Sequence, residues 1–188
     1  MTFTEILKNR RSVRSFKSKE IPPEIINDVI HDSLFAPSAG NGQPWKFIIV
    51  NNREMIGRIS IESKKNILKR IASNPGDYAK RYEQMLQKKG FNIFYNAPTV
   101  ILILGDAGLK NLYIDCTLAA CYFMMSATSK GLGTCWVNFG TEIYDENLRD
   151  ELGIPENHKI VAPLALGYPE KIPDIPRRSE AQILKALS

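Results

Sequence analysis

The chain has 188 residues, of which 44% are apolar, and a formal net charge of +5. That length suits one domain and allows burial of about two thirds of the unfolded surface. The apolar fraction argues against disorder, and so modest a charge, taken alone, favours a solvated basic surface over nucleic-acid binding.

Thr2 and Glu5 have capping-box spacing ahead of Ile6 and Leu7, which predicts a helix from Phe3 to about Arg10. Thr2 to Arg14 carries charge and lacks an apolar segment, so no secretory signal is expected. Pro22-Pro23 opens a second helix with Ile25, Ile26, Val29, Ile30 and Leu34 at helical spacing, stopped by Pro37. Lys46 to Val50 reads as a short strand. Glu54 to Ile71 and Tyr78 to Lys88 read as polar, charge-laced helices separated by the turn signal Asn74-Pro75-Gly76-Asp77. Thr99 to Leu104 is a continuous apolar run suited to a buried strand. The stretch from Leu112 to Leu132 is broken by Asp115, Thr117, Ser126, Thr128, Ser129 and Lys130, which makes it a buried helix ending at Gly131 rather than a membrane span. Thr134 to Phe139 and Ile160 to Leu166 are further strands, with a short helix near Glu146 to Leu152 between them. Pro169, Pro173 and Pro176 then give an extended arm before a last helix from Ser179. Helices and strands mix without strict alternation, so an α+β fold is expected.

Cys116, Cys121 and Cys135 cannot all pair within one chain and contain no C-x-x-C, so they read as reduced core residues of a cytoplasmic protein. With only His31 and His158 to add, no metal cluster is assembled by spacing, and no metal is expected. Gly131-Leu132-Gly133 begins like a dinucleotide fingerprint, but it sits between helix and strand where that motif needs strand, turn, helix; a glycine helix stop is the better reading.

Positive charge concentrates in Arg10-Arg11-Ser12-Val13-Arg14. Guanidinium forks bind phosphate oxygens bidentately, and Ser12 adds a hydroxyl and a backbone N–H. Alone, this cluster would pass for an exposed charge run at a helix end. It is followed by Pro37-Ser38-Ala39-Gly40-Asn41-Gly42-Gln43-Pro44-Trp45, a small-residue turn with amide side chains able to lie against a flat heterocycle. Phosphate at one end and a polar ring at the other describe a mononucleotide.

The two motifs together closely resemble the signature of the nitroreductase family of FMN-dependent oxidoreductases. Asn96-Ala97-Pro98, Gly131 to Trp136, Leu152-Gly153-Ile154-Pro155, Ala165 to Pro169 and Pro176-Arg177 follow in the family's order, so the resemblance covers nearly the whole chain. It implies one nitroreductase-like α+β domain over 1–188, with a central mixed or antiparallel sheet flanked by helices. It also implies a variable helical or lid region at 61–94, a C-terminal arm at 169–188, and an intertwined homodimer that exchanges those arms. By the same resemblance Arg10, Ser12 and Arg177 hold the FMN phosphate, with Arg11 contributing mainly backbone. Arg14 faces the N1 and O2 edge, and Pro37, Ser38 and Ala39 reach the ring from the other subunit. Asn41 and Gln43 add polar contacts, and Asn138, Phe139 and Gly140 face N5 and the dimethylbenzene side. The acidic residue that larger bacterial members often carry near Gly140 is missing here. The implied chemistry is ping-pong: NAD(P)H reduces the flavin, and a nitroaromatic, quinone or similar small acceptor oxidises it, with no side chain acting as nucleophile or base. Reductive dehalogenation, flavin modification and non-catalytic flavin binding are the rival readings on this fold. A nucleic-acid-binding module leaves Pro37 to Trp45 unexplained, and no membrane partner is implied.

Overall fold

In the computed structural model, which describes residues 1–187, four strands form one antiparallel sheet in the order β1-β2-β4-β3. These are β1 Lys46–Val50, β2 Thr99–Asp106, β3 Gly133–Trp136 and β4 His158–Gly167. The unbroken apolar run of β2 reflects its place between β1 and β4, covered on both faces. Val100, Leu102 and Leu104 enter one core and Ile101 and Ile103 the other, as a period of two requires. Each such side chain, fully buried, contributes about 1.5–3 kcal/mol of hydrophobic stabilisation.

One face is covered by α2 Pro23–Ser33 and α5 Leu112–Ser129, through Ile26, Val29, Cys116, Ala119, Ala120 and Phe123. α5 ends as its glycine suggests. Gly131 is left-handed (φ 76°), and Leu132 N–H reaches back to Ala127 O at 2.9 Å, a Schellman-type stop. At the start of the chain, α1 Phe3–Asn9 carries the full capping box: Thr2 N–H donates to Glu5 Oε2 (2.7 Å) and Glu5 N–H to Thr2 Oγ1 (3.3 Å). Among the described residues no helix is long and apolar enough to cross a membrane.

The other face is where the sequence reading needs correction. α3 Arg53–Ser73 is rich in charge, yet it buries Ile56, Ile59, Ser63, Ile67 and Ile71, a stripe at helical spacing concealed among lysines and glutamates. Lys64 is buried too, and its ammonium donates to the carbonyls of Phe91 (2.7 Å) and Lys88 (3.1 Å), tying the helix to the loop that follows. The helix expected over Tyr78 to Lys88 is instead a 3-10 turn, Tyr78–Tyr82, and the short α4, Glu83–Leu86. Asp77 fixes that turn by accepting Ala79 N–H (2.7 Å) and Arg70 Nε (2.8 Å). The strand expected over Thr134 to Phe139 stops at Trp136. Val137 N–H still donates to Pro163 O (2.9 Å), but Pro163 has no N–H to return, and the chain turns through Asn138–Thr141. α6 Glu146–Glu151 precedes β4. The helix expected from Ser179 is absent over 179–187: Ile183, Leu184 and Leu187 are exposed, and so short a helix with no surface to pack on is marginal in water. Ser188 lies outside the described residues.

Candidate functional site

Beyond α1 the chain runs extended along β3. Ser12 bridges Thr134, Val13 N–H donates to Thr134 O (2.9 Å), and Phe16 bridges Pro169. Gly133 permits this approach, since a Cβ there would lie 2.7 Å from Val13 Cγ2. Alternation then sorts the side chains. Arg11 and Val13 are buried, whereas Arg10, Ser12 and Arg14 retain solvent exposure. Arg11 Nη1 folds back onto the carbonyl of Arg10, and its Nε is buried without a partner among the described residues.

Burial pushes the Cys135 thiol pKa up, while the positive charges of Arg14 and Arg10 act on it in the opposite sense. Thr134 Oγ1, at the Ser12 bridge, is buried and also lacks a partner among the described residues. Arg14 Nε donates to Tyr95 Oη (3.3 Å), and its guanidinium lies 5.7 Å from the centroid of that ring. Burial likewise lifts the Cys116 thiol, to about 12, helped by the neighbouring Asp115 carboxylate; such a thiol is inert at neutral pH.

Arg14 and Tyr95 line a chamber of about 400 Å³ together with Trp136, Val137, Asn138 and Phe139 on one side and Tyr78, Arg81, Tyr82 and Met85 on the other. Asn138 Nδ2 donates to Tyr78 Oη (3.4 Å), and Phe139 stacks against Tyr78 (centroids 6.5 Å apart) and meets Tyr82 edge-on (5.5 Å). Gly140 is behind this wall rather than in it. It is buried, and a Cβ would lie 2.7 Å from Phe94 and 2.8 Å from Pro163, so packing alone demands glycine.

The remaining expected site residues are elsewhere in the chain. Ala39 N–H donates to Asp115 Oδ1 of α5 (3.0 Å), and Ser38 Oγ accepts Gln43 N–H (3.0 Å). Gly40, Asn41 and Gln43 are all left-handed (φ 57°, 56° and 43°), a strained conformation for the two amide residues. None of Pro37, Ser38, Ala39, Asn41 and Gln43 lines the chamber. Arg177 is exposed in the extended tail, with no hydrogen bond to Arg10 or Ser12 among the described residues. Sequence reading missed Tyr78, Arg81, Tyr82, Met85, Tyr95, Trp136 and Val137 as chamber residues. The available signal was aromatic density: Tyr78, Tyr82, Phe91, Phe94 and Tyr95 stand within one otherwise charged stretch.

Solved structures share this architecture. A nitroreductase with bound FMN from Bacteroides fragilis matches with a TM-score of 0.82 at 24% identity, over 100% of this chain and 99% of the other. An oxidised iodotyrosine deiodinase bound to FMN and 3-iodo-L-tyrosine matches at 0.78 and 23%, over 99% and 100%. The molecule therefore has the α+β nitroreductase fold. Residues 7–168 match the profile described as the nitroreductase family, and the chain belongs to that family. Among its relatives, an Archaeoglobus fulgidus protein named "Putative NADH dehydrogenase/NAD(P)H nitroreductase" is 30% identical over 172 residues, covering 88% of this chain and 84% of its own. Iodotyrosine deiodinase 1 of Sus scrofa is 31% identical over 202 residues, covering 97% and 67%.

Proposed function

We propose that the chain is an FMN-dependent oxidoreductase that takes reducing equivalents from NAD(P)H and passes them to a small acceptor such as a nitroaromatic or a quinone. The observation that carries this reading is the set Arg10, Ser12 and Arg14, which alternation leaves on the solvent-accessible side of an extended segment laid along β3, with Arg14 reaching the chamber. The residues present fit the cofactor. An anionic tail suits Arg10 and Ser12, and the unpartnered Thr134 Oγ1 at the Ser12 bridge is a spare polar group there. An aromatic-walled chamber entered by Arg14 suits a flat ring, with Asn138 and Phe139 along its edge. FMN bound there would supply a two-electron relay between NAD(P)H and an acceptor that also takes up protons.

The chain's own part is positioning and charge. Arg14, held by Tyr95, places a cation where a reduced ring would accumulate negative charge. Arg177 would reach the phosphate from the tail. Pro37 to Gln43 would serve a second copy's site, which accounts for their distance from this chain's chamber. Exposed Phe3, Leu7, Phe35, Tyr113, Ile114 and Tyr122 supply apolar surface for such a homodimer. Three free thiols suit a reducing, cytoplasmic setting.

The test is an absorption spectrum of the FMN-loaded protein before and after anaerobic addition of NADPH or NADH, followed by menadione. The reading predicts bleaching and then recovery. A flavin that neither donor bleaches would reduce the chain to a flavin-binding protein. Arg14→Gln is expected to lower the flavin midpoint potential by roughly 30 mV for each ~1.4 kcal/mol of lost differential stabilisation, with FMN still bound. An unchanged potential removes Arg14 from that role. Reductive dehalogenation is the second reading, favoured by the deiodinase relative at 31% identity. Iodide release from 3-iodotyrosine by the reduced protein, without turnover of nitroaromatics, would select it.

A further inference from the structure

The chamber has two walls, and only one is accounted for by the flavin. The other, Tyr78, Arg81, Tyr82 and Met85, comes from the turn after α3. None of the ten residues lining the chamber is an aspartate or glutamate, and two are arginines. Arg14 is occupied by Tyr95. Arg81 is not so occupied: its guanidinium lies 4.9 Å from the centroid of Tyr82, and no ion pair among the described residues involves it. Tyr78 Oη accepts from Asn138, whereas the Tyr82 hydroxyl has no hydrogen bond among the described residues. A planar cation held on an aromatic face, beside a free phenol and opposite a ring-binding wall, matches an aromatic molecule with an anionic substituent. Arg10 and Ser12, the phosphate candidates, do not line this chamber, so Arg81 is not needed for the cofactor's tail.

Building on the redox reading above, we infer that the chamber selects flat aromatic acceptors bearing a carboxylate or comparable anion, and that Arg81 is the residue that reads that charge. Cationic acceptors are disfavoured by the same two arginines. Arg70 positions this wall. It holds Asp77 at 2.8 Å, pairs with Glu142, and lies 5.7 Å from the Tyr78 centroid, so it links the turn at 77–82 to the turn at 138–142.

The experiment uses FMN-loaded protein reduced with dithionite and mixed anaerobically with 4-nitrobenzoate or 4-nitrobenzamide, so that no nucleotide donor is present. The readout is the ratio of second-order reoxidation rates, acid over amide; comparing that ratio between proteins cancels the intrinsic reactivity of the acceptors. Because Arg81 is exposed, Arg81→Gln is expected to lower the ratio by up to about fivefold. Arg81→Glu should lower it further, and Arg81→Lys should restore part of it. An unchanged ratio in both Arg81→Gln and Arg81→Glu overturns the assignment. So does an unchanged ratio accompanied, in separate steady-state assays, by a raised KM for NAD(P)H, which would give Arg81 to the donor's phosphates. Protein that takes up no FMN overturns the redox reading itself, and this inference with it.

Discussion

The two walls of the chamber are built by different means. The Trp136–Phe139 wall continues from β3, along which residues 10–17 are laid by backbone hydrogen bonds from Val13 to Thr134 and from Lys17 to Tyr168 and by the absence of a Cβ at Gly133, bringing Arg14 to the chamber. The 77–86 wall is held by side chains: Asp77 to Arg70, Arg70 to Glu142, and aromatic contacts from Tyr78 and Tyr82 to Phe139. The first construction resists substitution except where backbones touch. The second hangs on Arg70 and is the one able to change with little cost to the sheet. A fold that holds one wall by its backbone and the other by side chains can alter the second while keeping the first.

The largest effect is expected from Gly133→Ala. Its Cβ would collide with Val13 at 2.7–3.0 Å, close to the backbone of a stiff β-branched residue. Overpacking of this kind costs up to about 3 kcal/mol, and the 10–16 segment should lose amide-exchange protection. Val13→Ala in the same protein should recover part of the loss. If Gly133→Ala alone leaves stability and exchange unchanged, the first wall does not depend on that contact. Arg70→Met should cost less, about 1–2 kcal/mol, chiefly by leaving the Glu142 carboxylate, only 8% exposed, without its cation. Protection should fall across 77–86 and stay intact across 10–16. A uniform loss over both walls would refute the distinction between them.

The smallest effect concerns acid. The Ala79 backbone N–H, and then Arg70, hold the Asp77 carboxyl below its ordinary pKa. A depressed pKa stabilises the fold above the unfolded value, and that stabilisation is lost as pH falls through the folded value. The Tm advantage of wild type over Asp77→Asn should therefore be present at neutral pH and shrink on acidification below the ordinary carboxylate range. A gap that stays constant would mean that Asp77 holds the turn without its charge.

What the sequence made legible divides along the same line. Arg10 to Arg14 and Pro37 to Trp45 stood out because arginine, glycine and proline act locally, and the capping box and the Gly131 stop could be read for the same reason. The inner surface of α3 could not, because its isoleucines are diluted by charged residues whose partners, such as Glu142 for Arg70, lie far along the chain. The helix expected over Tyr78 to Lys88 divides into a 3-10 helix at Tyr78–Tyr82 and α4 because Asp77 and Arg70 tighten its first turn. The helix expected after Ser179 failed for want of a surface to pack on. That Ala39 is fixed to Asp115 of α5 is a contact that no spacing along the chain encodes.

The most direct measurement is a titration of flavin-free protein with FMN, followed by visible absorbance and by the flavin retained after gel filtration, for wild type and Arg10→Ala. The account predicts a yellow wild type that keeps one flavin per chain and a variant that loses it. A wild type that stays colourless in excess FMN, or a variant that retains flavin equally well, would contradict it.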